Sequence, residues 1–239
     1  MTKAKGFNAN GFVLYEGPSM LDGSPIVVIA TGFKAKPGNA KTGDMIQTWI
    51  MRADLHPVVA LDGEDRSVCG DCPHRRGPSY VTAKGKVKKG KRTCYVEVGK
   101  APAAVWRCYQ RGGYAPLPSA EMLIGRKLRL GSYGDPAAVP AAVWLPLVAA
   151  CDGHSGYTHQ WREPVGAWAR GILQASCDGM ADYLEATAHG WGTFHVVPKG
   201  TALPSGVAHC AASKERGAKT TCAACLLCSG TANVGIWQH

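Results

Sequence analysis

Seven of the ten cysteines in this chain fall into two groups with the spacing of metal ligands. The first is Cys69-Gly-Asp-Cys72, joined by Cys94 after a basic stretch; the second is Cys210 with Cys222, Cys225 and Cys228. Two residues between a pair of cysteines form a tight turn, so both thiolates can face one ion or cluster. The run Cys222-x2-Cys225-x2-Cys228 matches the three-cysteine pattern that ligates a cubane [4Fe–4S] cluster, with Cys210 as a distant fourth ligand. Structural zinc sites more often pair two short C-x2-C knuckles, so zinc is the alternative metal. At the first group, three thiolates would leave one iron of a cluster open to a substrate, while Cys108 or His74 are the candidates for closing it.

The remaining reactive residue types carry less. Cys151 and Cys177 have no thiol close in sequence and read as small core residues. Among the scattered histidines, His159 is the best placed for chemistry. A Ser-His-Asp order, HExxH and G-x-S-x-G are all missing, which removes support for a hydrolase. Gly38-Asn39-Ala40-Lys41-Thr42-Gly43 has the look of a phosphate loop, but Asp44 stands where that motif needs Lys, so the stretch reads as a turn.

Charge is concentrated rather than spread. The formal net charge is +10, and the eight basic residues between Arg75 and Arg92 account for most of it, since ten minus eight leaves +2. Lys84, Lys86, Lys88, Lys89, Lys91 and Arg92 form an arm between Cys72 and Cys94 that can contact phosphates, which makes a nucleic acid a candidate partner. The first sixteen residues hold no apolar signal segment, and Pro136–Cys151 is too short and proline-rich to span a bilayer. A cytoplasmic chain without a membrane anchor is expected, with its thiols reduced and available to metal.

Elements must then position these groups. Near the N-terminus polar loops surround short apolar runs at 11–15, 25–30 and 45–51; the alternation from Met45 to Ile50 predicts a strand, followed by another over Val58–Asp62. Beyond Cys94, helical patterns at 101–111, 139–150 and 179–189 alternate with strands at 127–133, 157–161, 172–176, 193–197, 207–210 and 233–237. That alternation predicts parallel βαβ units and an α/β fold, a partial β/α barrel of about six strands. Three regions follow: a β-rich segment at 1–57, the barrel at 58–209 and a Cys-rich extension at 210–239. Chemistry in such folds sits at the C-terminal strand ends, where Gly134, Asp135, His159, Ser176 and Asp178 lie.

Several stretches together resemble the radical S-adenosylmethionine superfamily, and more narrowly a family of small phage- and plasmid-encoded iron–sulfur proteins of uncharacterised function. They are Asn39-Ala-Lys-Thr-Gly43, Cys69-Gly-Asp-Cys72-Pro-His-Arg75, Cys94-Tyr-Val, Tyr133-Gly-Asp-Pro136, Gly156-Tyr-Thr-His-Gln-Trp-Arg162 and Thr221-Cys-Ala-Ala-Cys-Leu-Leu-Cys228. The resemblance implies that Cys69, Cys72 and Cys94 hold a [4Fe–4S] cluster whose open iron chelates S-adenosylmethionine. It further implies that Gly134 and Asp135 meet the methionine amine, and that Ser176 and Asp178 meet the ribose. Asp135, His159 and Asp178 are then the candidate catalytic groups, acting on a nucleotide, nucleic acid or small metabolite. The spacing here, C-x2-C-x21-C, differs from the superfamily's usual C-x3-C-x2-C.

Overall fold

Five consecutive residues, Ile26 to Ala30, are completely or almost completely buried, so this strand lies inside a sheet with both faces covered. The structure, a computed structural model, describes residues 10–34, 39–217 and 220–238. In chain order the elements are β1 (Gly11–Pro18), β2 (Pro25–Thr31), β3 (Ile46–Arg52), α1 (Pro57–Ala60), α2 (Arg66–Cys69), β4 (Tyr80–Val81) and β5 (Val87–Lys88). There follow α3 (Ala101–Gln110), β6 (Ala115–Pro116), β7 (Lys127–Tyr133), α4 (Ala141–Ala150), β8 (Gly153–Thr158), β9 (Gln174–Cys177) and α5 (Met180–Ala188). The chain closes with β10 (Thr193–Val197), β11 (Ala208–His209), α6 (Cys222–Cys225) and β12 (Val234–Trp237).

One large sheet takes the order β11-β12-β10-β9-β8-β7-β3-β2-β1-β6. From β3 to β11 every neighbouring pair is parallel, whereas β2 runs antiparallel to both β1 and β3. The architecture is mixed α/β with a mostly parallel sheet. β1, β2 and β3, before residue 57, and β12, after residue 209, all belong to this one sheet.

Alternation on each strand sorts the two faces. Leu128 and Leu130 of β7 are buried on one side, with Arg129 and Tyr133 on the other. On the first side, α5 packs over β9 and β10, where the Tyr183 ring stacks on His195 at 5.3 Å. α3 is tied to the end of β3 by Trp106 Nε1 donating to the Arg52 carbonyl at 2.9 Å. Trp144 of α4 is wholly buried and donates to the Pro136 carbonyl at 2.9 Å. No helix of the described residues is long and apolar enough to cross a membrane.

Two expected elements differ. Val58–Asp62 is helix and turn instead of strand. Pro57 supplies a preset helical φ at the first turn and His56 Nδ1 accepts the Val58 N–H, which outweighs the β preference of Val58-Val59. The strand that leads into the first cysteine group is therefore β3. The strand expected over 157–161 starts earlier and stops at Thr158, because the Asp135 carboxylate accepts the His159 N–H at 2.8 Å and draws the chain into a 3-10 turn at Gln160–Arg162. Asn39–Gly43 closes as a turn on an isolated bridge, and Gly38 lies outside the described residues.

Candidate metal centre and its cavity

Cys69 ends α2, and the Cys72 N–H bonds back to the Cys69 carbonyl at 3.2 Å, closing the C-x2-C turn. The turn needs Gly70, whose φ of 56° lies in the left-handed region, and a side chain there would run into Gln160. Arg75 fastens the turn from outside. Its guanidinium donates to Asp65 at 2.8 Å, to the Gly70 carbonyl at 3.1 Å and to the Gly63 carbonyl at 2.7 Å. The long interval before Cys94 folds back on itself: Gly77 N–H meets the Lys91 carbonyl and Cys94 N–H meets the His74 carbonyl, each at 3.0 Å. Arg92 then holds the returning strand through the Cys94 and Val96 carbonyls.

The three thiols feel one another. Burial pushes the Cys69 thiol well above its ordinary value, and Asp65, Cys72 and Cys94 add to the rise. Burial also raises Cys94, against which the Val96 N–H and Arg92 act. Thiols held in this way resist ionising alone, and a bound cation is what would make them thiolates.

The second group is pinned to the Asn39–Gly43 turn. Cys222 N–H donates to the Lys41 carbonyl at 2.8 Å, Ala223 N–H to the Thr42 carbonyl at 3.3 Å, and Lys127 Nζ to the Ala223 carbonyl at 2.7 Å. Gly43 fits because a side chain there would strike Thr221 and Ala223. Leu226, with a φ of 53°, reverses the chain after α6 so that Cys228 follows, and the Gly156 N–H meets the Cys228 carbonyl at 3.2 Å. Burial pushes Cys228 up to about 12; the Tyr157 hydroxyl donates to its sulfur and opposes that rise, while Cys210, Cys222 and Cys225 reinforce it. All four sulfurs thus share one neighbourhood.

Both groups open on a single cavity of about 700 Å³. Its floor is the sheet face opposite α5: Arg129 and Tyr133 of β7, Ser155 and Tyr157 of β8, Ser176 of β9, Phe194 and Val196 of β10, Val234 and Ile236 of β12. β7 runs from one group to the other. Lys127 touches the α6 segment, Arg129 neighbours Cys222, and Tyr133 neighbours Cys69 and Cys94. Arg129 and Tyr133 lie four residues apart on β7, across an irregularity at Gly131 where β3 advances two residues while β7 advances four.

At the C-terminal strand ends lies a polar cluster. His74 Nε2 is 2.8 Å from Asp178 Oδ1, His159 Nε2 is 3.2 Å from Asp178 Oδ2, and Cys72 Sγ is 3.9 Å from His159 Nε2. Thr93 Oγ1, 2.8 Å from His74 Nδ1, orients that ring. Ligand atoms of His74, His159 and Asp178 all lie within 4.8 Å of one another. Burial would lower His159, but Asp178 and Cys72 outweigh it and push the imidazole up to about 10. Burial would likewise raise Asp178, yet the two histidines hold its carboxyl well below the usual carboxylate range.

The other expected residues have definite places. Gly134, Asp135 and Ser176 line the cavity. Asp135 is buried, and each of its oxygens accepts a backbone N–H, from Ala137 at 3.0 Å and from His159 at 2.8 Å. Cys108 packs from α3 against the core and, with Cys151 and Cys177, is not among the cavity-lining cysteines, so His74 is the one of the two candidate fourth ligands that reaches the site. In the basic arm, Lys89 and Arg76 pair with Asp62, and Arg92 is taken up by carbonyls. Lys84, Lys86, Lys88 and Lys91 flank or sit on the β4–β5 hairpin with no ion pair among the described residues.

Residue types alone did not point to Asp178 as the partner of His74, which is 104 positions away, nor to Arg129 and Tyr157 as cavity residues. The available signal was a charged and an aromatic residue at inward positions of strands otherwise rich in Leu and Gly. No family model, curated protein or solved structure matches this chain.

Proposed function

We propose that the chain is an iron–sulfur protein of the radical-S-adenosylmethionine-like kind. In this reading Cys69, Cys72 and Cys94 hold a [4Fe–4S] cluster with one open iron, and Cys210, Cys222, Cys225 and Cys228 hold a second, closed cluster. The parallel strands from β3 to β12 then form the wall of a partial β/α barrel, and the cavity is where a nucleotide or small metabolite reacts.

The observation that carries the reading is the convergence of seven thiols, from segments more than a hundred residues apart, on one cavity. Their spacing favours clusters over single ions. The run Cys222-x2-Cys225-x2-Cys228 matches the pattern of cubane ligation, whereas structural zinc sites more often pair two C-x2-C knuckles. A cluster held by three thiolates supplies, when bound, an open coordination position and a one-electron couple. The chain's own residues would do the rest. Gly134 and Asp135 shape the rim where β7 ends, Ser176 and Asp178 offer hydrogen bonds beside it, and the charged pair of His159 and Asp178 stands 3.9 Å from Cys72 to hold or move a proton at His159 Nε2.

The test is the electron paramagnetic resonance signal of the anaerobically reduced protein before and after adding S-adenosylmethionine. A shifted signal, lost in Cys69→Ser, is the expected result; a signal unchanged by the addition overturns the reading. A second reading rests on the closeness of His74, His159 and Asp178, since two imidazoles and a carboxylate suit a single zinc or iron(II) ion. A protein that takes up one zinc ion and no sulfide would follow from it. The exposed hairpin lysines favour a nucleic acid as partner under either reading, with binding that weakens steeply as salt rises.

A further inference from the structure

Arg129 is a cation set into the cavity lining with no carboxylate to meet it among the described residues. Its guanidinium donates to a neutral group, Tyr95 Oη at 2.9 Å. The other arginines drawn into the fold end on carboxylates or carbonyls: Arg52 on Asp54 and Glu64, Arg75 on Asp65, Arg126 on the Gly32 and Phe33 carbonyls. Arg129 has no ion pair among the described residues. The acidic groups of the cavity are engaged elsewhere, Asp135 by two backbone N–H groups, Asp178 by two histidines and Glu215 by Ser213.

A guanidinium stays charged at any working pH and leaves donors that match a carboxylate or phosphate in fork geometry. Among the described residues only one of these donors is used, by Tyr95 Oη, so the others are free to meet a ligand's oxyanion. Part of the lining is an apolar wall of Phe194, Val196, Val234 and Ile236, with the Tyr157 ring 4.3 Å from that of Phe194. Few polar groups in a largely apolar hollow is the usual make-up of a small-molecule site.

We propose that Arg129 anchors an anion subsite, and that the cavity takes an elongated organic anion with its carboxylate or phosphate on the guanidinium and its apolar body along β10 and β12. The same cavity is lined by the first cysteine group, so a molecule seated on Arg129 lies within its reach. That reach depends on the proposed function above, but the anion subsite itself does not. The competing role for Arg129 is service to the Cys222 sulfur, its neighbour.

Calorimetric titration of the protein as purified, with hexanoate, hexyl phosphate and neutral 1-hexanol, tests the proposal and tells the two oxyanions apart. At least one anion is expected to bind tenfold or more tighter than hexanol. Arg129→Gln should lose that tenfold preference while binding hexanol as before, and Arg129→Lys should keep part of it. Tyr95→Phe, which releases the guanidinium, should bind the anion at least as tightly as the native chain, and gives a readout should Arg129→Gln fail to fold. No anion preference in the native chain, or a preference unchanged in Arg129→Gln, overturns the proposal. Arg129→Gln that loses metal yet keeps the anion preference assigns the residue to Cys222 instead. Iron counted on the same samples separates the claims: an iron-free protein with an Arg129-dependent preference removes the cluster reading and keeps this one.

Discussion

Gly70 shows how a single residue governs the first cysteine group. At φ 56° it lets the chain turn sharply from Cys69 to Cys72 while passing against Gln160. Gly70→Ala forces a left-handed conformation on a residue with a side chain and should cost about 1–3 kcal/mol. We expect a lower melting temperature together with loss of metal from the first group and retention at the second. Metal content equal to that of the native chain would show that the turn tolerates the change. Asp65 acts from farther away. It is buried and holds Arg75, which in turn grips the Gly70 carbonyl, so the thiol geometry depends on a carboxylate four residues before Cys69. The cysteine turns were legible from spacing, because C-x2-C turns are local. The pairing of His74 with Asp178 was not, since only the sheet brings positions 104 apart together.

At the scale of elements, α4 and α5 carry stability. Trp144 fills the core wholly buried beneath α4, and Trp144→Ala should cost about 3–5 kcal/mol in chemical denaturation, with metal content little changed. On the α5 side, His195 lies buried against Tyr183 with Nδ1 unpartnered among the described residues. Burial lowers its pKa from the ordinary 6.5, with Asp182 and Asp178 opposing. The unfolded chain therefore takes up this proton at a higher pH than the folded one. Stability from this group is present above pH 6.5 and is lost as pH falls below it. His195→Phe, which keeps a ring on Tyr183, should flatten the fall in melting temperature between pH 6.5 and pH 5; an unchanged slope would place the acid sensitivity elsewhere. Elements with a clear local period were readable, β7 and β10 to the residue. Val58–Asp62 was misread because a proline and a cap overrode two valines, and β8 ends early for a cause far off in sequence, the Asp135 carboxylate.

Across the whole molecule, the two cysteine groups turn out to be organised around one hollow, with the basic hairpin set between two cysteines of the first group. The excess of positive charge is a hairpin inserted between Cys72 and Cys94, and four of its lysines face outward while its other cations fasten it to the body. The α6 segment, far along the chain, docks on the turn before β3 and closes the opposite side of the same cavity. The cysteine pattern could be read as two sites. Their sharing of a cavity could not, because it arises from β7 spanning the distance between them. The most direct measurement of the central claim is iron and sulfide counted per chain after anaerobic reconstitution. The account predicts about eight irons for the native protein, and about four after Cys69, Cys72 and Cys94, or Cys222, Cys225 and Cys228, are changed together to Ser. Zinc bound without sulfide under those conditions would contradict it.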